Sequence, residues 1–378
     1  MGFSSFRGNA ATVSRLRQMI ARDHLPHAII LTGPRGAGKF TLTQMVAKAM
    51  NCLQRPVDED GLHPSNPNAG LLGTPLPDFC GVCSNCERIG QADALEQRFA
   101  EAVEAREAMR ESEKREARIF VQTHSEVLIV PPDPPQMLVK VDQVRHLIGE
   151  IYYRPAEGRQ KFYIFPEANF MKEAANALLK VLEEPPEFAT IFLLAENSNS
   201  LLPTIRSRCI TLHLAPLPAE EIAQDLALGT GLTAAQKKLV ARLSGGAVGR
   251  ARNFDLNTHL AARRDALLLL TTALGENDHA ALFRATEAYR AGAEGKARTD
   301  LLISVLYSIL EDLLALQAGA TELVRNQDLQ KELSAMASQV PFDWVVRAAE
   351  GLGEVQNGMR RNLLRSLSLD GYSSSLEV

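Results

Sequence analysis

The chain has 378 residues, a net charge of −4 at pH 7 and five cysteines, with 46% hydrophobic and 23% charged residues. This composition is typical of a soluble globular protein with two or three domains, and its negative charge excludes a protein that coats nucleic acid through basicity alone. We find neither an apolar run of membrane-spanning length nor a signal-peptide pattern, so we expect a cytoplasmic protein without a membrane partner.

The first predicted elements are a short buried strand at residues 27–32, a glycine-rich loop and a helix over residues 42–50. The loop, GPRGAGKFT, follows the phosphate-binding pattern G-x-x-x-x-G-K-[ST] in the strand–loop–helix setting that this motif requires. Backbone N–H groups of such a loop surround the phosphates, and its lysine contacts the terminal phosphates. The candidate nucleotide-binding residues are Gly33, Gly36, Gly38 and Lys39.

One position of this loop departs from the pattern. Phe40 stands where a hydroxyl residue ligates Mg²⁺, and Thr41 comes one residue later. A phenyl ring cannot ligate Mg²⁺, which prefers oxygen in near-octahedral geometry. The sequence therefore predicts a nucleotide-binding fold whose own chemistry is weakened or lost, and ATP binding is doubtful.

Strands and helices continue to alternate after the loop, which predicts a parallel sheet covered on both faces. Two insertions interrupt this alternation: a Pro- and Gly-rich loop at residues 54–78 and a charged, solvated helix at residues 93–118. Further strands are predicted at residues 127–130, 162–165, 191–195 and 210–214, and helices at residues 142–152 and 172–184.

A cysteine motif lies between the two insertions. Cys80, Cys83 and Cys86 have the spacing C-x₂-C-x₂-C, and Cys52 lies upstream at the end of the first predicted helix. Four thiolates suit a closed, tetrahedral, structural Zn²⁺ site. The fourth ligand is open, because His63 or His124 could replace Cys52. Cys209 lies far away in sequence and is expected to be buried.

Ala-Pro-Leu-Pro after Leu214 ends the predicted sheet domain as a stiff linker. Residues 219–255 then have the pattern of a small helical unit, and the Leu-rich remainder has the spacing of helices packed on one face. The polar end of the chain from Asp370 is predicted to be loosely held.

Two later motifs identify a family. The first spans Ala174–Pro186 and ends in NALLKVLEEPP, and the second spans Leu201–Cys209 and ends in the triplet Ser207-Arg208-Cys209. With the phosphate loop, the cysteine motif and His27 before the first strand, they resemble the clamp-loader branch of the AAA+ ATPases. Within this branch the chain is similar to the delta-prime-type subunits of the bacterial DNA polymerase III clamp loader.

This resemblance implies a role for Arg208. In such clamp loaders the arginine of the Ser-Arg-Cys triplet reaches the ATP of a neighbouring subunit, where a guanidinium compensates phosphate charge. The chain itself departs from an active site at three positions. Besides Phe40, Pro166-Glu167 replaces the Asp-Glu pair, and Gly249 precedes Arg250 where the lid arginine is expected. The resemblance thus implies a subunit that supplies Arg208 in trans without hydrolysing ATP.

The resemblance also implies a domain plan and partners. We expect an AAA+ domain at residues 1–214, containing the zinc module (52–86) and the helical insertion (93–118). A helical lid (215–258) and a helical collar domain for oligomerisation (259–378) follow. The expected partners are gamma/tau- and delta-type subunits in a five-subunit loader, which places the sliding clamp on primed DNA.

Two alternatives remain open. One is an active ATPase subunit of gamma/tau type in which a shifted loop lets Thr41 replace the missing hydroxyl. The other is a standalone zinc-containing adaptor that senses nucleotide or acts in DNA repair.

Overall fold

Strand β1 (Ala28–Thr32) is completely buried and leads directly into the glycine-rich loop. The computed structural model describes residues 2–58, 76–227, 231–275, 279–289, 292–360 and 364–376. These fall into a sheet unit, Met1–Pro218 with Gly246–Arg250, and a helical unit, Ala219–Gly245 with Ala251–Val378. The expected division into AAA+, lid and collar domains stays a prediction. No helix within the described ranges is long and apolar enough to cross a membrane.

The described residues of the sheet unit contain a six-stranded sheet and a separate antiparallel pair of two short strands. The pair is β2 (Val57–Asp58) with β3 (Leu76–Pro77), and the other strands are β4 (Val121–His124), β5 (Val127–Ile129), β6 (Lys161–Phe165), β7 (Ala189–Ala195) and β8 (Ile210–His213). The sheet has the order β4-β5-β6-β7-β1-β8, in which only β4 runs antiparallel to its neighbour. The predicted parallel sheet is confirmed, with an additional edge strand, β4, that the sequence pattern did not indicate.

Helices cover both faces of this sheet. The helices of this unit are α1 (Ala10–Ala21), α2 (Lys39–Asn51), α3 (Ser84–Gly90), α4 (Leu95–Glu107), α5 (Glu111–Glu116), α6 (Val141–Ile151), α7 (Lys172–Glu183) and α8 (Pro203–Arg206), of which α1–α3 and α6–α8 bury residues against the sheet. Alternate residues of β1 point to opposite faces: Ile29 and Leu31 join the core that includes α1, α2 and α3, whereas Ala28 and Ile30 join the core that includes α6 and α7. This two-sided burial explains why the strand is an uninterrupted apolar run.

The segment predicted as one charged helix, residues 93–118, forms two helices instead, α4 and α5. The chain leaves α4 at Ala108 and is extended at Arg110 before α5 begins. Arg106 of α4 pairs with the fully buried carboxylate of Asp133, to which Lys140 also pairs. No residue of α4 is completely buried, but its predicted apolar stripe is half-buried and Leu95 packs against the core, so the ion pair and this stripe together attach the insertion. Most of the predicted 54–78 loop lies outside the described residues.

The helical unit comprises α9 (Ala219–Ala227), α10 (Ala234–Leu243), α12 (Leu256–Ala273), α13 (His279–Glu287), α14 (Gly292–Gln317), α15 (Gln330–Gln339), α16 (Phe342–Arg360) and α17 (Arg365–Ser375), and α11 (Val248–Arg252) crosses the boundary between the units. Its core combines leucines of α12 and α14 with Trp344 and Leu352 of α16.

The expectation of a loosely held C-terminal end is wrong for residues 370–376. Helix α17 buries Leu369 and Tyr372, and the Tyr372 hydroxyl donates to the carbonyl of Ala348 at 3.1 Å. Ser373 is also buried, and its hydroxyl donates to Leu269 O at 2.9 Å. These polar side chains pack because backbone carbonyls satisfy their hydrogen bonds.

Candidate functional site

The phosphate-type loop joins β1 to α2, and its lysine bonds to the loop itself. Gly36 and Gly38 have φ of 82° and 86°, left-handed values that favour glycine. The Lys39 Nζ donates to the carbonyl oxygens of Gly33 at 2.6 Å and Pro34 at 2.9 Å. Burial lowers the pKa of Lys39, an effect that the nearby carboxylate of Glu196 opposes. The loop thus has the shape of a phosphate-binding loop, and the ammonium group of Lys39 is hydrogen-bonded to carbonyl oxygens of the same loop.

Two other parts of the sheet unit pack against this loop. The Gly249 N–H donates to the carbonyl of Gly36 at 2.9 Å. Gly249 occupies the position at which the family resemblance leads us to expect the lid arginine. A Cβ on Gly36 would lie 2.8 Å from the backbone nitrogen of Arg250, and one on Gly38 would lie 2.9 Å from the Phe6 ring. The loop therefore lies in close contact with the chain on two sides.

The positions that would bind Mg²⁺ have no suitable arrangement of oxygens. Phe40 is partly buried and packs against the core beneath α2. Thr41 is exposed in the first turn of α2, and Glu167 is exposed just after β6. In the sequence, Phe40 thus lies between Lys39 of the loop and the first hydroxyl residue after it, Thr41.

An N-terminal segment, residues 2–6, connects the loop to the cysteine motif. The Phe3 ring is buried, contacts Phe79 edge-on at 5.8 Å and lies under the guanidinium of Arg17. The Phe3 N–H donates to the Asp78 carboxylate at 3.1 Å. Since Phe6 packs against Gly38, this short segment reaches from the residues before Cys80 to the phosphate-type loop.

The structure brings together the four predicted metal-ligand cysteines, Cys52, Cys80, Cys83 and Cys86, whose sulfur atoms all lie within 4.8 Å of one another. Cys52 directly follows the last residue of α2, and Cys83 directly precedes the first residue of α3. The Cys52 and Cys80 sulfurs are 3.6 Å apart, close to the roughly 3.8 Å expected between thiolates 2.3 Å from a tetrahedral Zn²⁺. The donor set therefore fits a structural metal ion.

Backbone groups shape the electrostatics of this cluster. The N–H groups of Arg55 and Cys80 approach the Cys52 sulfur at 3.4 Å, and that of Cys83 approaches the Cys80 sulfur at 3.3 Å. Burial opposes ionisation of Cys83, yet hydrogen bonds from the backbone at Leu53 and Cys86 lower its pKa to about 6. Burial raises the pKa of Cys86. Hydrogen bonds to sulfur favour the thiolate that a metal requires.

The alternative ligands lie elsewhere. His124 is buried, and its Nδ1 accepts a hydrogen bond from the Glu126 N–H at 3.1 Å, while His63 is outside the described residues. Cys209 packs at the opposite face of the sheet, and burial raises its pKa to about 12. Cys52 is thus the residue that completes the cysteine cluster.

Arg208 follows the short helix α8 and precedes β8. Its Nη2 donates to the Glu183 carboxylate at 2.7 Å, and its Nη1 donates to the carbonyl of Thr204 at 3.0 Å. About a third of the Arg208 side chain is exposed. A cavity of about 380 Å³ lies beside it, lined in part by Arg22, His24 and His27.

Arg208 and the phosphate-type loop lie at opposite ends of the sheet. Strands β1 and β8 are parallel and paired from Ile29 with Ile210 to Thr32 with His213. The loop follows Thr32, whereas Arg208 precedes Ile210 and its carbonyl contacts His27 Nε2 at 3.1 Å. Six residues of strand at about 3.3 Å each separate the two ends by roughly 20 Å. This guanidinium therefore does not face the loop of its own chain.

Two contacts of these sites have no signal in the sequence. Glu183 belongs to the quoted NALLKVLEEPP motif, but the sequence did not indicate which of its two glutamates meets Arg208. The contact of Phe6 with Gly38 had no sequence signal, since the N-terminal residues show no periodicity.

The chain is similar in sequence to known DNA polymerase III subunits. A family described as "DNA polymerase III, delta subunit" matches residues 8–218, more than half of the chain. DNA polymerase III subunit tau of Escherichia coli is 29% identical over 225 residues, which are 59% of this chain and 27% of that protein. Subunit delta' of Bacillus subtilis is 26% identical over 325 residues, covering 86% of this chain and 82% of that protein. The chain thus spans about a quarter of the tau proteins that it matches.

Solved structures show only distant likeness. A gamma subunit-related protein of Thermotoga maritima has a TM-score of 0.40 and 13% identity, covering 97% of this chain and 98% of that one. The clamp loader delta protein of Bacillus subtilis has a TM-score of 0.28 and 10% identity, covering 96% of this chain and 99% of that one. The family match, by contrast, confirms the resemblance carried by the motifs: the chain belongs to the DNA polymerase III delta-subunit family.

Proposed function

We propose that this chain is a delta-prime-type clamp-loader subunit that does not hydrolyse ATP and supplies Arg208 to the ATP site of a neighbouring subunit. The observation that supports this most is the placement of Arg208 at the end of the sheet opposite its own phosphate-type loop. An arginine in this position serves ATP chemistry only if the ATP belongs to another subunit. There its guanidinium stabilises the negative charge that develops during phosphoryl transfer.

Loss of hydrolysis in the chain itself is supported by three features. Phe40 offers no oxygen to Mg²⁺, Pro166 replaces a carboxylate, and Gly249 stands where a lid arginine is expected. Catalysis of phosphoryl transfer depends on positioning and on charge stabilisation by metal and arginine. Without these groups, the loop serves as a structural connection between β1 and α2.

We also propose that Cys52, Cys80, Cys83 and Cys86 hold one structural Zn²⁺. The ion would supply a fixed junction between the end of α2 and the start of α3. The chain's own part is to hold the thiolates: the backbone N–H groups of Arg55 and Cys80 donate to the Cys52 sulfur, and that of Cys83 donates to the Cys80 sulfur. A closed set of four cysteines leaves no position for substrate, so the site is structural and not catalytic.

The proposed partners are gamma/tau- and delta-type subunits in a five-subunit loader, with the sliding clamp and primed DNA bound by the whole assembly. Relatives of this chain are named as DNA polymerase III subunits. The helices of residues 259–378 would form the collar, and residues 215–258 the lid. With a net charge of −4, this chain would contribute only a share of any DNA contact.

Two measurements on purified chain test the non-catalytic part of this proposal. Calorimetric titration with Mg-ATP should give no binding, and the same sample should show no ATP hydrolysis. Hydrolysis by the isolated chain, abolished by Lys39→Ala, would contradict it.

A gamma/tau-type ATPase is the second candidate function, favoured by the 29% identity to tau proteins. It requires Thr41 to supply the Mg²⁺ hydroxyl, so Thr41→Ala would then abolish hydrolysis that the wild-type chain shows. A standalone zinc adaptor is the remaining alternative. It would not co-purify with clamp-loader subunits, whereas a delta-prime-type subunit would.

A further inference from the structure

The backbone that carries Arg208 is fixed on both sides. Helix α8 begins with Pro203, and its Ile205 is completely buried. Cys209 packs against the core beneath the sheet, and the Arg208 carbonyl contacts His27 Nε2 at 3.1 Å. These contacts restrain the main chain, so most of the conformational freedom of Arg208 lies in its long side chain, which has many rotamers.

Three acceptors restrict that side chain. The Nη1 donates to the carbonyl of Thr204 at 3.0 Å and approaches the Ser207 hydroxyl at 3.4 Å. The Nη2 donates to the carboxylate of Glu183, the last residue of α7, at 2.7 Å. A guanidinium has five N–H donors, so two remain after these three contacts. Two N–H groups suffice for a bidentate contact with phosphate oxygens.

We propose that Glu183 is the positioning residue of Arg208, holding its guanidinium in the rotamer that meets the phosphates of a neighbouring subunit's ATP. This inference rests on the proposed trans role of Arg208. Glu183 is the acceptor best suited to this task, because it belongs to α7, whereas Arg208 lies in the segment between α8 and β8. The Thr204 carbonyl and the Ser207 hydroxyl restrain the side chain only locally.

The expected effect is moderate. Both side chains are partly exposed, with relative accessibilities of 34% for Arg208 and 53% for Glu183. Partly exposed ion pairs are weak, so we expect the pair with Glu183 to change the population of the positioned Arg208 rotamer by only about two- to fivefold. Loss of Glu183 should therefore reduce the turnover number of the neighbour by about two- to fivefold, far less than loss of the arginine itself.

The test measures steady-state ATP turnover by the reconstituted assembly carrying Glu183→Ala or Glu183→Gln in this chain. Glu183→Ala should lower kcat by about two- to fivefold with little change in KM, because ATP binding is governed by the neighbour's own loop. Glu183→Gln retains an oxygen acceptor at the same distance and should restore most of the turnover. Glu184→Ala, an exposed glutamate one residue later, is the matched control and should behave as wild type.

The same experiment is repeated in an Arg208→Ala background, where Glu183→Ala should have no additional effect. A further loss of turnover there would overturn the positioning role, because Glu183 would be acting without Arg208. Wild-type turnover with Glu183→Ala, or increased turnover with both Glu183 variants, would also overturn it while leaving the proposed function intact. Unchanged turnover with Arg208→Ala alone would instead overturn the proposed function.

Discussion

The ammonium group of Lys39 lies 2.6 Å from the carbonyl oxygen of Gly33, so the lysine of the phosphate-type loop bonds to the loop itself. Pro34 provides a second carbonyl at 2.9 Å. These two acceptors occupy donors that a phosphate-binding lysine directs at its ligand. We expect this residue to support the shape of the loop in this chain.

We therefore predict that Lys39→Ala in this chain leaves ATP turnover by the assembly unchanged. It should reduce the free energy of unfolding by about 1–2 kcal/mol, since two part-buried hydrogen bonds are lost. The control is the equivalent substitution in the phosphate loop of a neighbouring ATPase subunit, which should reduce turnover strongly. A comparable loss with Lys39→Ala would indicate that this loop binds ATP.

The cysteine cluster gives a second prediction, on metal content. Elemental analysis of the chain purified under reducing conditions should find one zinc ion per molecule. Removal of this zinc by a chelator should lower the Tm of the chain, because the free energy of binding a structural ion contributes to folding stability. Cys80→Ser should lose the metal. Cys209→Ser, outside the cluster, should retain it; equal zinc content in all three proteins would refute the site.

Phe3 gives a third prediction, on the attachment of the N-terminal segment. Its ring is 3% exposed and lies between Phe79 and Arg17. Phe3→Ala should reduce the free energy of unfolding by about 3 kcal/mol, since a buried aromatic ring is removed. Chemical denaturation of the full chain measures this loss. Tyr153→Ala, at an aromatic residue that is 70% exposed, should cost less than about 0.5 kcal/mol.

Asp133 gives a fourth prediction, on the helical insertion. Its carboxylate is completely buried and pairs with Arg106 and Lys140. Asp133→Asn leaves two cations without their partner and should cost about 3 kcal/mol of unfolding free energy. Asp142→Asn, which breaks a partly exposed pair with Arg118, should cost about 1 kcal/mol or less. Equal losses would mean that the buried charge does not hold the insertion.

Much of the sheet was predictable because burial on both faces leaves an apolar run in the sequence, as in Ile29 to Leu31. Strand β4 was missed because it is an edge strand with an irregular register, in which the exposed Gln122 interrupts the apolar pattern. The break between α4 and α5 was missed for a different reason: Ala108 and Met109 are good helix formers, so no local residue predicts it.

In the candidate sites too, features set by local sequence spacing were predictable, and features set by tertiary packing were not. The C-x₂-C-x₂-C spacing predicted three members of the cysteine cluster, because this spacing is itself a local geometric constraint. The approach of Cys52 depends on how α2 packs beside α3. The pairing of Glu183 with Arg208 likewise depends on the packing of α7 against α8, which no spacing in the sequence encodes.

The most direct test of the account is ATP turnover by the reconstituted assembly with Arg208→Ala in this chain, measured beside Arg206→Ala. Arg206 is a second arginine two residues away whose Nη1 donates to Asn199. An arginine supplied in trans contributes about 10³-fold or more to the rate, so Arg208→Ala should remove the turnover of the neighbouring site and impair clamp loading. Arg206→Ala should retain both. Full turnover with Arg208→Ala, in an assembly of normal composition, would contradict the account.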